Sequence, residues 1–526
     1  MYVLPDAPAE LGFDGDKYPM FRPFQRQAIE QLLNSEKRLI VVSAPTGAGK
    51  SVIALAAARM VAEAGYKTTI LTHRLSLQKQ YMDYEFDRFQ PKEATGRKNW
   101  KCILEGQEHI TVDEAICTDG FKCELSKWIE GVPPVCPYFY QREIANAAAI
   151  RVLNYPYFIL QANYNGKFTP NELLICDEGH QVDKEILKAS CVEFGRGHLF
   201  QLKLRGTPFP RFMSDSFLSE NPHIFPWALN VEHELDAEIN TLVRREEKVP
   251  KTLANLHAAV KKISTLKDKM VVLTNTGGEF VKFSPVLPEE YADKMIMRHA
   301  KKVVLMSASI FGPDYWADRM GIPRDEVEFI EVPSVFPAEN RKILVLPVVA
   351  MNWKTWGDAE AMAKMMRAVD WAIKRNLPTK GVIHSVSFRL ANYIYDHSDF
   401  RKLMIVGGAD KLEEFLSARL GIYVSPSALE GLDLKDELAR YIIFPKVPYL
   451  DLGDPVIRAQ KDAIADFYVY EAQSAVLQGA GRGVRHENDY AVTYILDKNY
   501  ARLYHATKHM LPEWFKEALD WRKLEL

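Results

Sequence analysis

Ala44-Pro45-Thr46-Gly47-Ala48-Gly49-Lys50-Ser51 is the stretch on which the reading of this chain turns. Ahead of it, Leu39-Ile40-Val41-Val42-Ser43 is an apolar run of strand length; behind it, Val52 to Ala58 is rich in good helix formers. A strand, a Gly-rich turn closing on Gly-Lys-Ser and a helix are the setting of a phosphate-binding loop. Backbone N–H groups of such a loop, with the helix N-terminus, surround nucleotide phosphates. Lys50 then reaches the β- and γ-phosphates and the Ser51 hydroxyl ligates Mg²⁺. Ala44 stands where the general pattern has its first Gly. The expected ligand is a nucleoside triphosphate held by Pro45, Thr46, Gly47, Ala48, Gly49, Lys50 and Ser51.

Working outward, 526 residues predict two to four domains, each with ample surface to bury. Apolar content of 47% and charged content of 26% are those of an ordinary globular protein. No signal peptide is read at the N-terminus, and no apolar run reaches the roughly 18 residues of a membrane span. An intracellular protein without a membrane partner is expected, in the cytoplasm or nucleoid of a cell or as a viral product inside a host. The net charge of −2 means that any nucleic-acid partner must be met by local clusters of Lys and Arg. Six Cys without a secretory signal argue against a disulfide framework.

Strand-like runs recur along the chain. Thr68–Thr72, Leu173–Cys176 and Lys302–Ser309 continue the series begun at Leu39, and Arg22 to Leu32 opens a helix before it. Residues 96–140 break the α/β rhythm with four cysteines and aromatic pairs. From 185 to 295 the chain reads as charged and mainly helical, clearest at Glu232–Glu247 and Thr252–Lys269. Glu331–Glu339, with two prolines, reads as a linker. A second α/β series follows, with strands expected at Ile343–Leu346, Gly381–His384, Leu403–Val406, Gly421–Val424, Tyr441–Phe444 and Ala491–Leu496. Alternating strands and helices imply parallel sheets covered on both faces.

Two further motifs carry chemistry. Asp177-Glu178-Gly179-His180 ends a strand, where α/β sheets place their ligands. Asp177 can hold Mg²⁺, and Glu178 can orient and deprotonate a water attacking the γ-phosphate. Gln478-Gly479-Ala480-Gly481-Arg482-Gly483-Val484-Arg485 lies in the second series. Arg482 and Arg485, three apart, would share one face of a helix, and guanidinium forks suit the transition-state charge of phosphoryl transfer.

Arg22-Pro23-Phe24-Gln25, the phosphate loop, Thr72 with Gln78, Asp177-Glu178-Gly179-His180, Ser307-Ala308-Ser309, Glu430-Gly431-Leu432-Asp433 and Gln478…Arg482…Arg485 stand in helicase order. In that order the chain resembles a superfamily 2 DNA helicase of the XPD/DinG branch. Gly96-Arg97-Lys98-Asn99-Trp100-Lys101-Cys102, Cys136-Pro137-Tyr138-Phe139 and Asn154-Tyr155 look like that branch's iron–sulfur region. Leu432-Asp433-Leu434-Lys435 with Phe444-Pro445-Lys446-Val447-Pro448-Tyr449 is similar to its second motor domain. The resemblance implies two RecA-like parallel-sheet motor domains, with a Cys-rich iron–sulfur module and a mainly helical, arch-like domain inserted in the first. Its divisions would be 1–95, 141–184 and 296–335 for the first motor domain, 96–140 for the cluster module, 185–295 for the helical insertion and 336–526 for the second motor domain. Arg22 and Gln25 resemble the adenine-end motif, and His180, Gly431, Asp433 and Gln478 join the ATP-binding set. Asp-Glu-Gly-His replaces the usual Asp-Glu-Ala-His, a change that the chemistry should tolerate. Asp497-Lys498-Asn499 stands where relatives tend to have Asp-Lys-Arg. No exonuclease-like segment is expected ahead of the motor.

Cys102, Cys117, Cys123 and Cys136 leave intervals of 14, 5 and 12 residues, without the C-x-x-C knuckle of common zinc sites. Spacing alone leaves a four-Cys metal site and buried thiols equally open; the resemblance implies a [4Fe–4S] cluster, which would hold together a module too small for its own core, with a redox-sensing role left open. Cys176 and Cys191 read as plain buried thiols. Arg97, Lys98, Trp100, Lys101, Lys122, Lys127 and Trp128 offer the basic and stacking groups that single strands need, and equally a solvated face over core tryptophans. The resemblance implies ATP- and Mg²⁺-dependent DNA unwinding with 5′-to-3′ travel; a monomer acting on single-stranded and forked DNA, in repair, replication or recombination, is expected. The alternative is a nucleic-acid-stimulated ATPase that remodels DNA–protein complexes or RNA–DNA hybrids. A small-molecule P-loop kinase leaves the second α/β series unexplained.

Overall fold

The computed structural model describes residues 2–86, 88–119, 123–127, 129, 131–195, 216–247, 249–264, 266, 269–276, 280–427, 436–484 and 488–524. Two seven-stranded parallel sheets carry the chain. In order of sequence the strands of the first half are β1 Leu39–Ser43, β2 Thr68–Thr72, β3 Lys92–Ala94, β4 Ile150–Asn154 and β5 Asn171–Asp177. Then come β6 Val192–Gly195, β7 Ser216–Phe217, β8 Val271–Thr276, β9 Phe280–Pro285, β10 Ala300–Ser307 and β11 Val327–Glu331. The second half supplies β12 Ile343–Val349, β13 Gly381–His384, β14 Met404–Val406, β15 Ile422–Ser425, β16 Tyr441–Phe444, β17 Val492–Asp497 and β18 Leu519–Trp521.

The first sheet runs β11-β1-β10-β5-β2-β4-β3 and the second β14-β15-β13-β16-β17-β12-β18. In the first, Leu39 of β1 pairs with Val303 on one side and Val327 on the other, so its five residues are buried on both faces. That explains why an unbroken apolar run, not an alternating one, marks the strand. The helix Lys50–Glu63 seats Ile53, Ala54, Ala56 and Ala57 on the sheet without exposing them. Small alanine side chains let helix and sheet approach closely. Both motor units are thus the RecA-like α/β domains expected.

Between β6 and β9 the chain leaves the first sheet. The helices Ile224–Arg244 and Lys251–Ser264 pack through Trp227, Val231, Leu235, Leu253, Leu256 and Val260. Beside them stands a four-stranded antiparallel sheet, β6-β9-β8-β7, that the helical periodicity does not announce. This unit also touches the second motor domain: Gln460 Nε2 donates to the Val286 carbonyl at 3.3 Å, over a small core of Val272, Val286 and Ala459.

The two motor domains meet along the helix Phe467–Ala480. Tyr470 is fully buried against the first domain, its ring stacked on Tyr315 at 3.8 Å and on Phe311 at 4.2 Å. Its hydroxyl accepts from Trp316 Nε1 at 2.8 Å and donates to the Phe311 carbonyl at 3.1 Å. Ser474 Oγ donates to the Ser309 carbonyl at 3.0 Å, and Lys184 pairs with Glu471 at 2.7 Å. This helix leads directly into the arginine-bearing turn, so its docking fixes where that turn falls.

Candidate active site

A cavity of about 1010 Å³ opens at the carboxyl ends of the first sheet, lined by Arg22, Gln25, Gly47, Gly49, Lys50, Ser51, Asp177, Glu178 and His180 from one domain and by Gln478 and Arg482 from the other. Gly47 and Gly49 have φ of +84° and +79°, backbone that suits glycine alone at low cost. Gln25 does not face the cavity freely. Its Nε2 donates to the Ala48 carbonyl at 2.7 Å, its Oε1 accepts from the Arg22 N–H, and the Arg22 guanidinium donates to the Gly47 carbonyl. The expected adenine-end pair therefore shapes the phosphate loop from behind. Lys50 Nζ lies 3.4 Å from the Ala44 carbonyl at the loop's start.

Asp177 and Glu178 end β5 in different surroundings. Asp177 is buried and accepts from Tyr81 Oη at 2.9 Å and from the Glu178 N–H at 3.0 Å. Burial, then the neighbouring Glu178 charge, push its carboxyl up to about 6, while Lys50 pulls the other way. Glu178, with 32% of its side chain exposed, turns into the cleft at φ +52°. Burial works against its charge, but His180, Lys50 and Arg482 outweigh it and hold its pKa below the usual glutamate value. Burial pushes His180 down to about 4. It is neutral at pH 7, which leaves Lys50 and Arg482 as the cations facing Glu178. His180 Nδ1 meets Ser307 Oγ at 2.7 Å, and Ser307 Oγ donates to Glu178 Oε2 at 3.2 Å. One carboxylate is thus suited to a metal and its neighbour to a water.

The glycine in Asp-Glu-Gly-His has a steric cause. A Cβ on Gly179 would stand 2.8 Å from the Met306 nitrogen and 2.9 Å from the Leu305 Cα, both backbone atoms of β10. Across the cleft the neighbours are side chains: a Cβ on Gly483 would stand 2.2 Å from Ala491 Cβ, and one on Gly481 would make a tight contact of 3.3 Å with Thr46 Oγ1 of the phosphate loop. Arg482 does not lie on a helix face as its spacing with Arg485 suggested. The helix ends at Ala480, and Arg482 projects from the turn beyond it. Arg485, Gly431 and Asp433 lie outside the described residues, as do Lys122 and Trp128. Tyr81 went unnoticed in the sequence because an aromatic on an amphipathic helix reads as core.

In the cysteine-bearing stretch, Cys136 caps the helix Pro137–Ala147 and is buried, while Cys102, Cys117 and Cys123 are half-buried. Burial raises the Cys117 thiol above its usual pKa; Arg97 opposes this, and Cys123, Cys136 and Cys102 add repulsion, so the four share one neighbourhood. Among the described residues no three of these sulfurs lie within 4.8 Å of one another. Arg97 is engaged here, 5.4 Å over the Tyr138 ring and 3.9 Å from Cys117 Sγ. Cys176 and Cys191 stand apart; burial pushes Cys176 up to about 12 and raises Cys191.

Comparison with known proteins agrees with this geometry. Residues 411–518 match the family "Helicase C-terminal domain", and residues 19–209 match "Type III restriction enzyme, res subunit". The chain is 23% identical over 280 residues to ATP-dependent DNA helicase CHL1 of Kluyveromyces lactis, covering 46% of this chain and 34% of that protein. It is 29% identical over 105 residues to the general transcription and DNA repair factor IIH helicase subunit XPD of Dictyostelium discoideum, covering 18% and 13%. These matches span about a third or less of the curated relatives' length. A solved XPD helicase superposes with a TM-score of 0.62 at 15% identity, covering 96% of this chain and 99% of the other. Xpd4 of S. tokodaii superposes at 0.58 with 14% identity, covering 95% and 100%. Motif order, the two helicase-type family matches and the fold make the chain similar to the XPD/DinG-like helicases of superfamily 2.

Gly179→Ala forces Glu178-Gly179-His180 away from β10. The expected result is a loss of about 1–3 kcal/mol in stability, read as a lower denaturation midpoint. An unchanged midpoint contradicts the tight packing.

Proposed function

We propose that this chain is an ATP-driven DNA helicase that moves 5′-to-3′ along a single strand. The observation that carries the reading is the composite cleft, in which Lys50, Asp177 and Glu178 face Gln478 and Arg482 of the other domain. Asp177 and Ser51 would hold Mg²⁺ on the nucleotide, and Glu178 would orient the attacking water and take its proton. Lys50 would neutralise charge on the β- and γ-phosphates. Arg482 supplies the charge that the phosphate loop lacks, and it arrives only when the domains are closed. Hydrolysis removes the phosphate that both halves grip, so each turnover opens the cleft. A strand lying across both domains would be advanced by that motion. The relatives named as DNA helicases support DNA as the substrate, met by the basic and aromatic groups around residues 97–101.

Cys102, Cys117, Cys123 and Cys136 fit a [4Fe–4S] cluster. Their sulfurs share a neighbourhood, yet they are spread wider than one tetrahedral zinc requires, where thiolates stand about 3.8 Å apart. A four-iron cluster spans more space and takes four thiolates. When bound, it would cross-link a stretch with little core of its own. The module at 96–140 and the insertion at 185–295 would then flank the DNA path, inside a cell.

Strand displacement on duplexes bearing either a 5′ or a 3′ tail tests the activity. Wild type is expected to unwind the 5′-tailed duplex, and Lys50→Ala neither. Unwinding from the 3′ tail alone overturns the polarity; DNA-stimulated hydrolysis with no unwinding supports a remodelling ATPase instead.

Protein purified anaerobically is expected to be brown and to contain iron, and Cys123→Ser to lose both colour and iron. Colourless, iron-free wild type contradicts the cluster.

A further inference from the structure

The segment joining the two motor domains holds one aromatic residue that the reaction scheme above leaves unused. Phe336 is 4% exposed, and its ring lies against the phosphate loop: a Cβ placed on Gly47 would stand 2.1 Å from Phe336 Cε2 and 2.3 Å from Cζ. The same ring packs with Val484 and Ala491 of the second domain. Val484 is two residues beyond Arg482. Ala491 in turn seats Gly483, so the ring touches the arginine turn through both of its supports.

The backbone behind the ring is fastened to the second domain. The Phe336 carbonyl accepts from Arg341 Nε at 3.0 Å, and the Arg341 guanidinium bonds to the Trp514 carbonyl and to Glu517. The Ala491 N–H donates to the Asn340 carbonyl at 2.9 Å. Phe336 is therefore carried by the second domain and reaches back onto the loop residue whose carbonyl the Arg22 guanidinium holds.

We propose that Phe336 is a positioning residue that registers the conformation of the phosphate loop and sets Arg482 in the cleft accordingly. A loop that closes on phosphates must shift its backbone at Gly47, and the ring, which has a cavity of just about 20 Å³ beside it, conveys that shift to Val484 and the arginine turn. An aliphatic side chain of similar reach transmits part of the shift; a methyl group transmits none. The inference deepens the proposed ATPase reading and rests on it.

The test compares wild type, Phe336→Ala, Phe336→Leu, Arg482→Ala and the Phe336→Ala/Arg482→Ala double variant in DNA-stimulated ATP hydrolysis. Phe336→Ala is expected to lower kcat about tenfold or more while KM for ATP stays within about twofold, because positioning and binding separate. Phe336→Leu recovers most of the loss, and the double variant is no slower than Arg482→Ala alone. Losses that multiply, or a defect confined to KM, overturn the proposal. Hydrogen–deuterium exchange with a non-hydrolysable ATP analogue gives a readout independent of turnover. In wild type the analogue is expected to slow exchange across residues 467–484, and in Phe336→Ala to bind equally well without slowing it. Slowing retained in Phe336→Ala overturns the proposal. Wild type that shows the exchange response but hydrolyses no ATP with DNA present refutes the ATPase reading and leaves the coupling standing.

Discussion

Two carboxylates stand side by side at the end of β5, and the cations that make this tolerable come from both halves of the molecule. Asp177 is buried and pushed up to about 6, whereas Glu178 is held below its usual value by His180, Lys50 and Arg482. Environments that push neighbouring acids apart are how one site assigns two roles, metal holder and water base. His180 and Lys50 of the first domain act most strongly on Glu178, and Arg482 of the second domain adds to them.

The packing around the cleft serves that arrangement. Tyr470 anchors the helix Phe467–Ala480 in the first domain through three hydrogen bonds and two stacked rings. Ser474 and Glu471 extend the contact to Ser309 and Lys184. The closely packed glycines shape each half from within: Gly179 lies against the backbone of β10 in the first domain and Gly483 against Ala491 in the second, while Gly481 faces the Thr46 side chain across the cleft. Asp497 plays a comparable part within the second domain, accepting from the Met351, Val447 and Asn499 N–H groups at 3.0, 2.9 and 2.9 Å. In Asp497-Lys498-Asn499, Asn499 Nδ2 reaches the Met351 carbonyl at 3.2 Å, a local brace.

Much of this was legible in the chain because buried parallel strands are unbroken apolar runs and a phosphate loop has a fixed grammar. Leu39–Ser43, Thr68–Thr72, Gly381–His384 and Tyr441–Phe444 fall where periodicity puts them. β4 was harder, since Arg151 interrupts its apolar run; it is tolerated because Asn171 Oδ1 accepts from its guanidinium within the core. β3 and β18, three residues each, are too short for any pattern to declare. The antiparallel sheet beside the insertion's helices was masked by the stronger helical signal of its neighbours. Contacts between distant segments left no local trace at all: Tyr81 on Asp177, Phe336 on Gly47, and the placing of Arg482 in a turn are products of tertiary packing.

The central claim is that one ATP site is divided between two domains, with Arg482 as the second domain's catalytic contribution. Single-turnover and steady-state ATP hydrolysis by Arg482→Ala, with single-stranded DNA present and nucleotide binding measured alongside, tests it most directly. The account predicts a kcat lower by about 10³-fold or more with nucleotide affinity retained. A rate within about threefold of wild type would contradict it.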